Sequence, residues 1–283
     1  MASLAAAGSL WGTGFLFGKI SFTEMTVSEN VGYRFLIASL AFAPILWKRP
    51  VSLRGWHARL LLLGASIIGV PIEFLLQFKG LELTTVSHAS LIVGTLPVLL
   101  ALGSALWFKD KLKPYEYGVM LISAAGAVLI AFSKRSSGGP QSTLPGDLLV
   151  FVSMFAALVM MLITKRLISE YGSLPVTAAM IITGTVILLV WIEATHPLRL
   201  HFSSRVWLAV IAQGLLATTA AYGFWNWGLA RVPAARAGVF LNLEPLVGTI
   251  LGLVILHESL GRLGIAGGVL ILISAVYFSR RPQ

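Results

Sequence analysis

The fold of this chain is indicated by two stretches of equal length, GLELTTVSHASLIVGTLPVLLALGSALWFKDKL at residues 80–112 and GLARVPAARAGVFLNLEPLVGTILGLVILHESL at residues 228–260. Aligned without a gap, they place Pro97 opposite Pro245, and an acid follows each proline thirteen residues later. Few other residues are identical, so the similarity depends on the proline, the acid and their shared register. The sequence therefore predicts an internal repeat.

The composition around these stretches is that of a chain surrounded by lipid. Of its 283 residues, 57% are hydrophobic and 11% are charged, and the mean hydropathy is +0.87. A soluble domain of ordinary composition has about 25% charged residues, because its surface must be wetted. One membrane-spanning helix takes about 20 residues, so ten of them would use about 200 and leave only short connections. These values exclude a separate soluble catalytic domain, and we expect no enzyme activity.

Ten apolar segments are found along the chain. They cover residues 2–22, 29–47, 59–78, 84–108, 114–133, 148–165, 175–194, 206–228, 234–256 and 263–279. The polar linker at residues 134–146 separates a first repeat, residues 1–133, from a second, residues 147–283. Because each repeat has an odd number of segments, the second copy inserts upside down relative to the first, as is typical of secondary transporters. We therefore predict an all-α polytopic membrane protein, with ten transmembrane helices in a 5+5 inverted-topology repeat around a central cavity.

The basic residues indicate the orientation of the chain in the membrane. The formal net charge is +10, from 21 Lys and Arg against 11 Asp and Glu. With both termini inside, thirteen Lys and Arg lie in inner loops and seven in outer loops, which follows the positive-inside rule. We therefore predict that both termini are cytoplasmic, and we interpret the positive charge as a topology signal rather than as a nucleic-acid surface. The chain has no cysteine, which excludes disulfides and thiolate metal sites.

Several residues, in their order along the chain, resemble a known family. They are Trp11, Gly12 and Lys19 in the first segment, Arg34 in the second, Pro97 with Asp110, Pro245 with Glu258, and the pair Lys165 and Arg166 after the sixth segment. This pattern resembles the EamA-type branch of the drug/metabolite transporter superfamily over nearly the whole chain. Asp110 departs from the family pattern, in which Glu is commoner at this position. Within that branch the chain is most similar to amino-acid exporters of the YddG type.

The resemblance implies both a function and a set of partners. Family members have ten helices in a 5+5 inverted repeat and export small metabolites or drugs. We therefore expect a secondary transporter in the bacterial cytoplasmic (inner) membrane that works by alternating access without a cofactor, with amino acids, including aromatic ones, as the first substrate hypothesis. Its partners would be the substrate, the lipid bilayer and, for coupled export, protons. The alternatives are a multidrug or other metabolite exporter, a passive facilitator and an intramembrane enzyme.

Polar residues inside the apolar segments are candidates for substrate binding, because charge at membrane depth is costly. Glu73 and Gln77 are four residues apart and therefore lie on one face of the third segment. Arg34 and Lys19 are expected at a similar height in the second and first segments. These residues form either a polar ring that receives a zwitterion, with its carboxylate on the base and its ammonium on the acid, or a structural Arg34–Glu73 ion pair that holds two helices together.

Further titratable residues have both a functional and a structural interpretation. Glu244 precedes Pro245 near the middle of the ninth segment, where a desolvated carboxylate can take up and release a proton. Alternatively, Glu244 bonds to backbone groups that the proline leaves free. Glu73 is the second candidate for proton coupling. His88 is a candidate ligand or proton carrier, and the alternative is a hydrogen-bonded histidine between packed helices.

Aromatic residues with a few polar neighbours predict the walls of the site. Trp11 lies in the middle of the first segment, and Tyr222 and Trp225 lie in the eighth. Asn242 lies on a face of small and polar residues in the ninth segment. Such walls suit small amphipathic ligands, although Trp225 also fits the aromatic belt at the membrane interface. The histidines have no metal-ligand spacing, so no metal site is expected.

Overall fold

The computed structural model describes residues 1–108, 114–132, 142–229 and 239–279, and all regular structure in these ranges is helical. The α-helices are α1 (Ala2–Ser21), α2 (Val27–Lys48), α3 (Gly55–Ile67), α4 (Glu73–Leu83), α5 (Val86–Val93), α6 (Leu96–Phe108), α7 (Pro114–Ala131), α8 (Leu144–Tyr171), α9 (Ser173–Thr195), α10 (Ser204–Gly214), α11 (Ala221–Leu229), α12 (Leu243–Ile255) and α13 (Arg262–Ser279). The π-helical turns Ile68–Ile72 and Leu215–Ala220 join α3 to α4 and α10 to α11, and the 3₁₀ turn Val239–Asn242 precedes α12. Asp110 and most of the predicted linker lie outside the described residues.

Within the described ranges, five helical segments are long and apolar enough to cross a membrane. They are Val27–Lys48, Gly55–Leu83, Leu144–Tyr171, Ser173–Thr195 and Ser204–Gly228. Shorter apolar helical stretches lie at Val86–Leu100, Tyr117–Ile130, Phe240–Ile255 and Arg262–Ser274. Large apolar side chains such as Leu40, Val190 and Ile273 are exposed on the helix surfaces, as a surface in contact with lipid requires. The chain is thus an all-helical polytopic membrane protein.

A capping box at the start of α2 also ties the two halves of the chain together. The Thr26 N–H donates to a carboxylate oxygen of Glu29 at 2.8 Å, and the Glu29 N–H donates to Thr26 Oγ1 at 3.3 Å. The same carboxylate accepts two hydrogen bonds of 2.7 Å from the Arg199 guanidinium. Beside it, Glu24 accepts the N–H of Ser203 at 2.7 Å, and hydrogen bonds from Ser203 lower the pKa of the Glu24 carboxyl group. The loops that precede α2 and α10 therefore lie together at one end of the bundle.

Two segments predicted as continuous helices are interrupted just before their prolines. The segment predicted over 84–108 consists of α5 and α6, which are separated by Gly94 and Thr95, so Pro97 lies in the first turn of α6. In the same way, α12 begins two residues before Pro245. Proline is tolerated in a first turn, because the N–H that it lacks has no intrahelical partner there. The prolines therefore lie in the first turns of α6 and α12, and the expected position of Pro245 in the middle of a helix is wrong.

The two π-helical turns occupy equivalent places in the two halves. In the register of the repeated stretches, Ile68–Ile72 coincides with part of Leu215–Ala220. A π turn accommodates one extra residue and disturbs the regular hydrogen-bond ladder, and such turns are frequent at functional sites. Glu73 follows the first turn directly, and Tyr222 lies two residues after the second.

The helices of the two halves pack against each other around a shared core. α1 contacts α11 and α12, α2 contacts α9, and α4 contacts α8. Large side chains that are fully buried in this core include Phe35, Phe42, Phe78, Met154 and Ile181. Each of these pairs combines a helix from before the predicted linker with one from after it. The interior of the bundle therefore lies between the two halves of the sequence.

The crossing of α4 and α8 depends on glycine. A Cβ atom added at Gly80 would lie 2.7 Å from Gly146 O and 2.8 Å from Val150 N. We expect Gly80→Ala to lower the free energy of unfolding by about 1–3 kcal/mol, because these backbone atoms cannot turn aside as a side chain would. Gly64→Ala is the matched control, since nothing lies within 4 Å of a Cβ atom added at Gly64. Unfolding in detergent measures both variants, and equal stability of the two would contradict the close crossing.

Candidate functional site

A cavity lies between the two halves of the chain, lined by residues of α1, α2, α4, α5, α6, α8, α11 and α12. Its charged and amide-bearing lining residues are Arg34, Glu73, Gln77 and Glu244, and its aromatic ones are Trp11, Phe15, Phe74, Phe78 and Tyr222. The centre of a water molecule can reach about 50 Å³ of this space, and about 10–15 Å³ is enough for one water. The accessible space is therefore several times what one water molecule needs.

Arg34 is buried, with 3% of its surface exposed, and its guanidinium is fixed by the second half of the chain. Its Nε donates to Thr218 Oγ1 at 2.7 Å, and its Nη2 donates to Ala217 O at 3.3 Å. Both acceptors lie in the second π turn. In an α-helix the Ala221 N–H would bond to Ala217 O. Here it bonds to Leu216 O and Thr218 O at the end of the turn, so Ala217 O does not have its usual α-helical donor.

Aromatic rings cover the same guanidinium. The Arg34 Cζ atom lies 4.5 Å from the centroid of the Phe74 ring, 5.2 Å from that of Phe78 and 5.4 Å from that of Phe35. Cation–π contacts are worth about 2 kcal/mol or more where water is excluded. Rings and neutral acceptors therefore surround the guanidinium, and its Nη1 makes no hydrogen bond within the described part of the chain.

Glu73 presents to the cavity a carboxylate of which one oxygen has no hydrogen-bond partner among the described residues. It is the first residue of α4 and 6% exposed, and its Oε2 atom is buried without a hydrogen-bond partner among the described residues. Gln77, one turn further along α4, is also buried and lines the cavity. No salt bridge joins Glu73 to Arg34 in the ranges that the structure describes. The structural ion pair considered from the sequence is therefore replaced by the bonds from Arg34 to Thr218 and Ala217.

Glu244 reaches the cavity from the start of α12 rather than from the middle of a helix. It lies in the first turn, directly before Pro245, where the positive end of the helix dipole favours a carboxylate. The structural alternative considered from the sequence, a carboxyl group bonded to backbone groups freed inside a helix, does not apply. The reason is that Pro245 opens the helix and does not interrupt it.

Trp11 and Tyr222 form an aromatic wall of the cavity. Their ring centroids lie 5.4 Å apart at an interplanar angle of 81°, which is the edge-to-face arrangement that aromatic rings prefer. Trp225 packs against Trp11, and the centroids of the two rings lie 5.3 Å apart. It is not itself a lining residue. Trp225 therefore contributes to the site through the position of Trp11.

Three of the predicted polar residues lie away from the cavity lining. His88 Nδ1 is 3.1 Å from Asp147 Oδ2, and both side chains are buried. This is the packing arrangement that the sequence left as an alternative for His88. Lys19 Nζ donates to Leu81 O at 2.7 Å, at the end of α4. Asn242 ends the 3₁₀ turn before α12 and does not line the cavity.

Ala217, Phe74 and Phe78, which hold Arg34 together with Thr218, are missing from the set predicted from the sequence. Phe74 and Phe78 directly follow Glu73 and Gln77 and have the same spacing of four residues, so their place beside the polar pair was a detectable signal. Ala217 offers no such signal, because its role depends on a backbone carbonyl in a π turn.

Comparison with known proteins accords with this architecture. The sequence matches the EamA-like transporter family over residues 1–132 and again over residues 144–280. The chain belongs to this family. A protein of Archaeoglobus fulgidus named as an uncharacterized transporter is 27% identical over 282 residues, which are 99% of this chain and 96% of the relative. A protein of Pseudomonas aeruginosa named as a probable biotin transporter is 29% identical over 270 residues, which are 93% of this chain and 92% of the relative.

A crystal structure of another protein has the same fold as this EamA-like transporter. The TM-score is 0.69 at 21% sequence identity, and the alignment covers 98% of this chain and 96% of the other. At that identity the likeness concerns the fold alone. Family membership and the apolar helices together make the protein an integral membrane transporter of small molecules.

Proposed function

We propose that this EamA-like transporter exports amino acids, including aromatic ones, and binds them as zwitterions between Glu73 and Arg34. One observation carries the proposal: Glu73 Oε2 is buried at the cavity without a hydrogen-bond partner among the described residues. A buried carboxylate oxygen is costly unless a donor satisfies it, and an ammonium group supplies three donors. Arg34 Nη1, which makes no hydrogen bond with the described residues, offers its donors to the carboxylate of the same solute.

The aromatic lining supports a substrate with an apolar side chain. Trp11, Phe15, Phe74, Phe78 and Tyr222 surround the polar groups, and binding sites for small amphipathic molecules combine apolar walls with a few placed polar groups. An aromatic amino acid has both parts. Its side chain would lie among the rings while its two charges meet Arg34 and Glu73.

The proposed architecture has ten transmembrane helices in a 5+5 inverted repeat, with residues 1–133 and 147–283 as the repeats and 134–146 as the linker. The separate family matches to the two halves and the equivalent π turns support this division. Two halves of opposite orientation can rock about a site between them and open it to each side of the membrane in turn. The cavity lies where such a mechanism needs its site.

The proposed orientation places both termini in the cytoplasm of a bacterial cell, with the protein in the inner membrane. Because the chain has no cysteine, a single introduced cysteine reports on which side of the membrane its position lies. We expect Ser52→Cys and Ser279→Cys to react only from the cytoplasm, and Ser137→Cys only from outside, because basic loops stay inside. The measurement is labelling of intact and permeabilised cells with a membrane-impermeant maleimide. Reversed labelling at two of the three sites would overturn this orientation.

If export is coupled to protons, Glu73 and Glu244 are the proposed carriers, because both carboxyl groups line the cavity. Moving one elementary charge across 100 mV is worth about 2.3 kcal/mol, which corresponds to an accumulation of about 50-fold. Glu244→Gln is expected to preserve exchange between equal pools of substrate and to abolish accumulation driven by a pH gradient. Unchanged gradient-driven accumulation by Glu244→Gln would remove Glu244 from the coupling step.

Liposomes that contain the purified protein test the proposed substrate. We expect labelled phenylalanine inside the liposomes to exchange with unlabelled phenylalanine or leucine outside, but not with phenylpropionate, which lacks the ammonium group. Biotin belongs in the same panel, because a relative 29% identical to this chain is named as a probable biotin transporter; biotin has a carboxylate for Arg34 but no ammonium for Glu73. Exchange of biotin without exchange of any amino acid would overturn the proposal. Purely downhill movement would identify a passive facilitator.

A further inference from the structure

The turn between α4 and α5, formed by Thr84 and Thr85, is held by side chains from the linker and from the second half of the chain. Thr143 Oγ1 donates to Leu83 O at 2.8 Å, directly before the turn. The Thr84 hydroxyl donates to the carboxylate of Asp147. With about 1.5 Å of rise per residue, the turn lies about 12 Å along α5 from Val93, which lines the cavity.

Glu258 makes the strongest of these attachments, because its carboxylate caps α5. Oε1 accepts the Val86 N–H at 2.7 Å, and Oε2 accepts both the N–H and the hydroxyl of Ser87 at 2.7 Å. The side chain is buried, with 6% of its surface exposed. The first N–H groups of a helix have no partner within it and favour negative charge. Glu258, which follows α12 in the second half of the chain, therefore binds the first N–H groups of α5 in the first half.

The backbone before Glu258 is shaped for this contact. His257 has φ +52°, in the left-handed region that residues other than glycine rarely adopt. The chain thus reverses at the end of α12, and the Glu258 N–H donates back to Gly252 O at 3.1 Å. A Cβ atom added at Gly252 would lie 2.5 Å from Glu258 Oε2 and 2.6 Å from Ser87 Oγ. Gly252 therefore leaves the space in which the cap forms.

The cap joins the two helices that carry residues of the cavity wall. α5 ends with Val93, and α12 begins with Leu243 and Glu244, of which Val93 and Glu244 line the cavity. The cap lies at the opposite end of both helices. Separation of α5 from α12 at that end would open the cavity towards the α4–α5 turn, and the three hydrogen bonds of Glu258 oppose that separation.

We infer that Glu258 is a positioning residue of the transport cycle: its carboxylate locks α5 to α12 and keeps the cavity closed at the end of the α4–α5 turn, and its release from Val86 and Ser87 opens that end. The inference rests on the proposed alternating access. It also gives a role to the acid that follows Pro245 by thirteen residues in the repeated pattern.

The cysteine-free chain allows a direct test. Val93→Cys places a thiol on the cavity wall, and a membrane-impermeant methanethiosulfonate is applied to one face of sealed vesicles of either orientation. Adding Glu258→Gln is expected to raise the labelling rate from the face of the α4–α5 turn about tenfold, since it removes charge-assisted hydrogen bonds. It should lower the labelling rate from the opposite face, because the state open at the α4–α5 turn gains population at the expense of the state open to the opposite face. Glu82→Gln, an exposed acid at the same end, is the matched control and should leave both rates unchanged.

The opposite result is equally clear. Unchanged rates, or an equal rise from both faces, would show that Glu258 only stabilises the fold, and either would overturn the inference. Ser87→Ala removes one of the three bonds and provides the same comparison if Glu258→Gln does not fold; a smaller shift in the same direction is expected. The test uses no substrate, so a wrong substrate assignment leaves its outcome interpretable. Rates from the two faces that never move in opposite directions in any variant would instead count against alternating access.

Discussion

Glu73→Gln is expected to weaken the binding of phenylalanine by at least about 30-fold. Removing one partner of a buried, hydrogen-bonded charge pair costs about 2–5 kcal/mol, and 2 kcal/mol is a factor of about 30. The effect should be large here because Glu73 Oε2 has no hydrogen-bond partner among the described residues, so a substrate ammonium would be its main donor. Binding of labelled phenylalanine to the purified protein in detergent measures the loss.

The stability of the same variant separates a binding role from a structural one. Since no described residue donates to Glu73 Oε2, replacing the carboxylate with an amide of the same shape should leave the melting temperature unchanged or raise it. Glu193→Gln is the control, because Glu193 is an exposed acid at the end of α9. Binding within about threefold of the unmodified protein, which is less than 1 kcal/mol, would exclude Glu73 as a substrate ligand.

The charged residues of the cavity could be found from the sequence because a charge inside an apolar segment is rare and costly. Arg34, Glu73 and Glu244 were predicted as site residues on that ground, and the structure places all three on the lining of one cavity. Their roles in binding and coupling stay predictions. The long apolar helices were equally accessible; for example, the segment predicted over 175–194 is the helix Ser173–Thr195.

The interruptions of the helices could not be read from hydropathy. A π turn changes which carbonyl each N–H meets, but it leaves the composition of the segment unchanged. The interruption at Gly94 and Thr95 also falls within an apolar run. The surroundings of Arg34 depend on such backbone details, which explains why an ion pair with Glu73 was a reasonable interpretation of the sequence although the structure has none.

The direction in which a helix face points could not be predicted from the sequence either. Periodicity correctly places residues on a common face, yet it does not state which neighbour that face meets. His88 faces Asp147 of α8 instead of the cavity, and Asp147 was not among the predicted site residues. A polar residue in a membrane helix needs a partner, but sequence spacing within one helix does not identify a partner on another.

Arg34→Met is expected to lower the free energy of unfolding by about 3 kcal/mol. The substitution removes the hydrogen bonds to Thr218 and Ala217, and a hydrogen bond to a charged group contributes about 1.5–3 kcal/mol. It also removes the cation–π contacts with Phe74 and Phe78, which contribute about 2 kcal/mol where water is excluded. The apolar packing of the Met side chain offsets part of this sum. Unfolding by a denaturing detergent gives the measured value.

Double-mutant cycles identify which partner of Arg34 matters for stability. Arg34→Met with Thr218→Val should show a coupling of about 1 kcal/mol or more, as residues in direct contact do, because the Arg34 Nε bonds to Thr218 Oγ1 at 2.7 Å. Arg34→Met with Glu73→Gln should recover little stability, since no salt bridge joins the two in the described residues. Had the two formed a buried ion pair, either single variant would leave a charge uncompensated, and the double variant would restore much of the loss. Recovery of that kind would show that Arg34 and Glu73 compensate each other during folding, and the assignment of Thr218 as the structural partner would then be wrong.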